Sequence, residues 1–283
     1  MKCCSPSFRR KPEPSFGRVK LDPAFAGVTA SGGWGMRPVM LHITSAQNPT
    51  IKLIRSLDDK KNRQEHGLFV AEGPKVLERA RVEGWEPAYL LSTTHAEPWG
   101  EAALLRVDEK IMGQVSAQKN PPEQIGVFRQ RWGEVNQQGL WLALEDMRDP
   151  GNLGTIIRTA DAAGASGIIL TGQSCDPFAP DCVRATMGSI FGVPLVRMEQ
   201  TAFRDLCREW PGECVGTHLK ATESYRRTYR APTLLVMGSE GKGLSEEATA
   251  ACSTLVRIPM KGGAESLNVA IATGLMLFEA QKL

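Results

Sequence analysis

From residue 139 onward the chain repeats one pattern that restricts its fold more than any other feature: a short apolar run, a segment of helical length, then another apolar run. GLWLALED, GIILTG, PLVRM, ECVGTH, TLLVMG and TLVRI are the apolar runs, with helices expected over residues 152–163, 181–187 and 201–210, after Leu244, and at the C-terminus. Strands that are apolar throughout and alternate with helices belong to a mostly parallel sheet covered on both faces. The expected fold class is therefore α/β. In such sheets ligands bind beyond the carboxyl ends of the strands, so the loops found there are the candidate functional segments.

Three of those loops are unusual in composition. The first runs Glu145-Asp146-Met147-Arg148-Asp149-Pro150-Gly151-Asn152. Pro150-Gly151 makes a tight turn, and Asn152 is placed to cap a helix with core face Ile156, Ile157 and Ala160, closed by Gly164. Arg158 falls on the other side of that helix. A surface charge has this pattern, and so does a phosphate clamp, because the guanidinium fork suits that anion. The second loop, Gly238-Ser239-Glu240-Gly241-Lys242-Gly243, has three glycines in six residues, which permit close backbone approach to a ligand. Its Gly-Lys pair is no phosphate loop: that motif needs glycine where Val236 stands and Ser or Thr where Gly243 stands. The dinucleotide fingerprint GxGxxG is also missing after the first strand of this sheet. Glu240 is left as the one carboxylate of a glycine loop.

The third loop, Ile258-Pro259-Met260-Lys261-Gly262-Gly263-Ala264-Glu265-Ser266, leads into the terminal helix, for which Ser266 is the expected cap. Leu267, Ile271, Leu275 and Phe278 mark one face of that helix. Val269, Ala270, Ala272, Met276 and Leu277 leave little of the other side polar, and a helix apolar nearly all round is expected to be buried.

The preceding half reads as a small α/β module. A helix with Ile51, Ile54 and Leu57 inward turns Lys52, Arg55, Lys60, Lys61 and Arg63 outward, either as a solvated face or as an RNA-docking one. GLFVAEG, AYLLST, LLRV and IGVFRQ are strand-like, and a second helix runs from Pro74 to Gly84. Residues 131–138 are polar and read as a linker. Residues 1–38 mix Pro, Gly, Ser and Arg with neither hydrophobic period, and read as a disordered basic extension, with Met36 and Met40 as alternative starts.

Charge and cysteine content narrow the setting. The formal charge is +3, but residues 1–38 hold seven Lys/Arg against two acids and the remainder 27 against 29, so any basic surface is a local patch. Seven cysteines without CxxC or zinc spacing fit reduced thiols in the cytoplasm. No apolar run reaches the ~18 residues of a membrane span.

Taken together and in order, NLGTIIRTADAAG, VMGSEGKGLS and IPMKGGAESLNVAIATGLMLFE resemble the three motifs of the SpoU (TrmH) family of RNA ribose 2′-O-methyltransferases, in the SPOUT superfamily. The resemblance implies a catalytic domain over residues 139–283 with a deep trefoil knot at its end, preceded by an L30e-like RNA substrate-binding domain over 41–130. It implies S-adenosyl-L-methionine as cofactor, held by the backbone of Gly238, Gly241, Ile258, Met260 and Leu267, and no metal. It makes Arg158 the catalytic arginine, with Asn152, Glu240, Ser266 and Asn268 as the polar residues around it. A homodimer through the knot region is implied as well. The RNA is expected to be 23S ribosomal RNA rather than transfer RNA. A non-catalytic RNA-binding protein retaining the fold is the alternative from another class.

Overall fold

The computed structural model describes residues 40–282. The basic extension expected over residues 1–38 lies outside the described residues. The first sheet has β1 (Met40–Ile43), β2 (Leu68–Glu72), β3 (Pro87–Ser92), β4 (Ala103–Val107) and β5 (Gln124–Arg129) in the order β1-β4-β3-β5-β2. The β1-β4-β3 pairs are parallel, and β5 runs antiparallel to both β3 and β2. Its helices are α1 (Pro49–Ser56), α2 (Lys60–His66), α3 (Pro74–Val82) and α4 (Glu109–Val115).

One long basic helix was expected across α1 and α2, and the structure breaks it. Leu57 turns into the core, and Asp59 starts a new helix by accepting hydrogen bonds from the Lys61 and Asn62 backbone N–H groups. A side chain that satisfies orphan N–H groups favours a helix start over a helix interior. Arg63, expected outside, is only 3 % exposed. Helix α4 and strand β1 were not expected from the sequence, both being short.

The second sheet contains β6 (Leu140–Glu145), β7 (Gly167–Thr171), β8 (Leu195–Met198), β9 (Glu213–Thr217), β10 (Glu223–Ser224), β11 (Thr233–Met237) and β12 (Thr254–Arg257). Their order is β10-β12-β9-β11-β6-β7-β8, and every neighbouring pair is parallel. Helices α5 (Pro150–Ala162), α6 (Pro180–Thr186), α7 (Gln200–Arg208), α8 (Glu246–Ala251) and α9 (Val269–Ala280) cover it. Side chains alternate along β6: Leu142 and Leu144 pack with Ile156, Ile157, Met276 and Leu277, whereas Trp141 and Ala143 pack with Phe203, Cys207 and Val236. Both faces of the sheet are therefore core, as its uniformly apolar strands require. Cys175, Cys182, Cys207, Cys214 and Cys252 are free thiols, and the last three meet in the second of these layers.

Helix α9 departs from expectation in two respects. Asn268, not Ser266, is its cap, accepting from the Ala270 and Ile271 backbone N–H groups. Val269, Ala270, Thr273, Met276 and Leu277 are buried on α5 and β11, but Leu267, Ile271, Leu275 and Phe278 are 37 %, 58 %, 38 % and 55 % exposed. The helix is apolar on both sides while a single chain covers only one. Among the described residues no helix is long and apolar enough to cross a membrane.

The two sheets share one core. Phe69 and Phe128 of the first half pack against Phe178 and Phe191 of the second, with centroids 4.9 Å apart for the tilted Phe69–Phe178 pair and 4.8 Å for the edge-on Phe128–Phe191 pair. The Trp85 indole N–H donates to the Phe191 carbonyl at 2.9 Å. Arg63 completes the junction. Its Nε donates to Asp176 Oδ2 at 2.8 Å and its Nη1 to the carbonyls of Leu57 and Asp58, while Asp176 Oδ1 accepts from the Phe178 backbone N–H. Both members of this ion pair are buried and hydrogen-bonded on more than one side, the condition under which buried charges are tolerated.

Candidate active site

Because all seven strands of the second sheet are parallel, the loops after β6, β11 and β12 leave from the same edge. The loop after β6 opens with Asp146 in the left-handed region, φ 55°. Its Oδ1 accepts from the Gln173 backbone N–H at 2.6 Å, and the Met147 N–H donates to Ser174 Oγ at 3.1 Å. The loop after β7 thereby braces the loop after β6.

Helix α5 is capped by Asp149, whose Oδ1 accepts from the Asn152 N–H at 2.6 Å, with Pro150 in the first turn. This corrects the cap expected at Asn152. Proline at the first helical position leaves the preceding residue as the cap, and the Asn152 amide is released for other work. Its Nδ2 donates to Glu240 Oε1 in a short hydrogen bond, and its Oδ1 accepts from Asn268 Nδ2 at 3.1 Å. Asn268 Oδ1 is meanwhile committed to the start of α9. One asparagine thus joins residues from the other two loops, 88 and 116 positions away.

The loop after β11 is closed by reciprocal bonds between Ser239 and Gly243, N–H to carbonyl at 3.0 Å in each direction. Gly238 is buried beneath it. A Cβ there would lie 2.0 Å from the Gly243 carbonyl carbon and 2.1 Å from the Leu244 nitrogen. Both are backbone atoms that cannot rotate away, so Gly238→Ala is expected to lower stability by about 1–3 kcal/mol. Chemical denaturation measures this, and a loss under about 0.5 kcal/mol would mean that the loop opens freely. Gly241 at φ 85° turns the tip and sets Glu240 toward Asn152.

The exit of the same loop is anchored by a residue that sequence reading passed over. Glu145, buried at the end of β6, accepts from the Ser245 N–H and hydroxyl, both at 2.8 Å, while Ser245 caps α8. The available signal was an acid ending a strand that is otherwise apolar.

In the loop after β12, Ile258 and Met260 are half-buried and residues 261–268 are exposed. No backbone group from Ile258 to Leu267 forms a hydrogen bond among the described residues, so these donors and acceptors are open to a ligand. Ser266 also makes no hydrogen bond among the described residues, and the structure does not bring it into the Glu240–Asn152–Asn268 group. Arg158 is exposed on α5, opposite the buried Ile156, Ile157 and Ala160, with no ion pair or hydrogen bond among the described residues. Six residues of helix separate it from Asn152 by about 9 Å of rise. It is a free cation beside the polar group and not a member of it.

Comparison with known proteins gives this arrangement a family. Residues 139–278 match the SpoU rRNA Methylase family and residues 48–126 the MRM3-like substrate binding domain. A putative TrmH family tRNA/rRNA methyltransferase of Bacillus subtilis is 37 % identical, the match covering 79 % of this chain and 90 % of that protein. The 23S rRNA (guanosine-2′-O-)-methyltransferase RlmB of Pseudomonas syringae pv. tomato is 34 % identical over 76 % and 78 % of the two chains. Among solved structures, the AdoMet-bound rRNA methyltransferase from Sinorhizobium meliloti superposes with a TM-score of 0.78 at 42 % identity, covering 86 % of this chain and 97 % of the other. Two matched segments that fall on the two sheets, and relatives aligned along most of their length, place this chain in the SpoU (TrmH) family of RNA methyltransferases.

Proposed function

We propose that this protein transfers the methyl group of S-adenosylmethionine to a ribose 2′-hydroxyl of RNA, with 23S ribosomal RNA as the substrate. The observation that carries the reading is the Glu240–Asn152–Asn268 hydrogen-bonded group, which ties together the three motif loops beside Arg158, unpaired among the described residues. Relatives named as 23S rRNA 2′-O-methyltransferases support the reaction and the RNA class.

The residues present fit the cofactor. Gly241 offers main chain with open space on its side-chain face, Gly238 beneath it holds the loop closed, and the unbonded backbone of residues 258–267 offers donors and acceptors for an adenine edge. Half-buried Ile258 and Met260, with Leu267, supply apolar contact for its ring faces. When bound, S-adenosylmethionine supplies a methyl group already activated by a positive sulfur, so no metal is needed.

Arg158 holds the target nucleotide by its phosphate and stabilises the negative charge that develops on the ribose oxygen. Arg158 is assigned this electrostatic role and not that of a base, and the proton of the 2′-hydroxyl passes to solvent water as the new O–C bond forms. Asn152, Glu240 and Asn268 fix the relative positions of the loops, and positioning of two reactants supplies a large part of such a rate. Residues 41–130 are assigned the RNA-binding role, in keeping with their match to a substrate-binding domain.

We assign the knot to the passage of residues 258–268. Strand β12 lies beyond β9, whereas α9 returns to pack on α5 and β11, so this passage crosses the ends of β9 and β11. The exposed Leu267, Ile271, Leu275 and Phe278 face is assigned to a homodimer contact. Ile271→Glu combined with Phe278→Glu is expected to convert a dimer to a monomer in light scattering; a wild-type chain that is already monomeric would remove the assignment. The free thiols are in keeping with a cytoplasmic protein.

The deciding experiment incubates the protein with labelled S-adenosylmethionine and, separately, total ribosomal and total transfer RNA, mapping 2′-O-methyl sites by resistance to alkaline cleavage. Label in ribosomal RNA is the expected result. Label in transfer RNA alone would change the substrate, and RNA binding without cofactor binding would leave a non-catalytic RNA-binding protein.

A further inference from the structure

Four consecutive strands of the second sheet, β12-β9-β11-β6, each end in a loop that carries an exposed cation: Lys261, Lys220, Lys242 and Arg148, in that spatial order. None of the four has an ion pair among the described residues, and what sets them apart from other exposed cations is their alignment along one edge of the sheet. The carboxylates of these loops behave in the opposite way. Asp146 accepts from the Gln173 N–H, Asp149 from the Asn152 N–H and Glu240 from the Asn152 side chain, and only Glu265 has no partner among the described residues. Three of the four acids are used inside the protein, and the four cations are left for something outside it.

The row continues beyond β6. The next strand is β7, and the loop after it holds Asp176, to which Arg63 of α2 is bonded. Lys60 and Lys61, exposed in the first turn of α2 and without an ion pair among the described residues, therefore stand just past the end of the row. The buried Arg63–Asp176 pair and the shared aromatic core fix this spacing.

We propose that Lys261, Lys220, Lys242 and Arg148 form a phosphate track along the carboxyl edge of the sheet, leading an RNA strand from the candidate active site to Lys60 and Lys61 of the substrate-binding half. Three inter-strand steps of about 4.8 Å spread the four loops over about 14 Å, against about 10 Å for the three steps between four phosphates of a fully stacked strand. A single strand drawn out beyond the stacked rise sets one phosphate against each cation. The track rests on the RNA-methyltransferase reading and goes further, assigning the path of the RNA and the residues that hold it. It binds backbone and not bases, so it positions the strand and leaves sequence choice to other contacts.

The test measures binding of a fluorescein-labelled single-stranded RNA to the full chain, by anisotropy, across a salt series. Each phosphate contact with a single strand contributes about −0.7 to the slope of log K against log salt. A variant with Arg148→Gln, Lys220→Gln, Lys242→Gln and Lys261→Gln is expected to show a slope shallower by roughly 3. The control removes the same charge from the second half away from these loops, with Arg204→Gln, Arg208→Gln, Arg230→Gln and Lys282→Gln, and is expected to keep the wild-type slope. Thermal melts of both variants verify that they fold, and single variants, each expected to lose about 0.7, replace the quadruple one should it not fold. Equal slopes for track and control variants, with wild-type protein still binding RNA, would overturn the track alone. Wild-type protein that binds no RNA at any salt would overturn both the track and the methyltransferase reading.

Discussion

Arg158→Ala should leave a folded, cofactor-binding protein whose methyl transfer is slower by about a thousandfold. The direction follows from placement. Arg158 is exposed and bonded to nothing among the described residues, so its removal leaves no buried partner unsatisfied and should change stability by less than about 0.5 kcal/mol. Loss of a preorganised group facing developing negative charge typically costs about 10²- to 10³-fold in kcat. Arg158→Lys keeps the charge but loses the fork, and should fall between the two. Single-turnover transfer to ribosomal RNA, with cofactor affinity and melting temperature measured alongside, checks this. Activity within a few-fold of wild type would remove Arg158 from the chemistry.

Asp176→Ala is expected to produce the largest loss of stability of any substitution considered. It strands the Arg63 guanidinium in a site where that residue is 3 % exposed. Breaking a buried ion pair from one side costs about 3–5 kcal/mol, which for a chain of this size lowers the melting temperature by on the order of 10 °C. The paired substitution Arg63→Met with Asp176→Leu should recover most of the loss, because no charge is then left without a partner. Calorimetry of the single and paired variants decides the matter. A single-variant loss below about 1 kcal/mol would mean that water reaches the site and solvates the arginine.

These two arginines also mark where sequence reading worked and where it stopped. Arg158 was placed correctly on the outer side of α5 because helical periodicity is local, and Ile156, Ile157 and Ala160 define the inner side within one turn. Arg63 was misplaced because its neighbours Lys60 and Lys61 are exposed and its partner lies 113 positions away. No local pattern carries that information. The two cap errors were different in kind. At Asp149-Pro150 and at Asn268 the right residue was present in the sequence, and a neighbouring Asn or Ser of similar capping strength was chosen instead. The three motif loops were legible from glycine content and order. Their joining through Asn152 was not, since it depends on the strand order that places β6 beside β11. The terminal helix was correctly read as apolar all round, but periodicity does not say how many chains are needed to cover it.

The aromatic junction between the two sheets has a consequence for how such a protein can be taken apart or rebuilt. Phe178 and Phe191 belong to the half with the candidate active site, yet they are buried by Phe69, Trp85 and Phe128 of the other half. Cutting the chain at the polar stretch between β5 and β6 would leave both faces uncovered, and the fragments would be prone to aggregate rather than behave as independent modules. A chimera that replaces the N-terminal half would have to exchange residues 172–192 together with it. The two halves can be inherited here only as one piece.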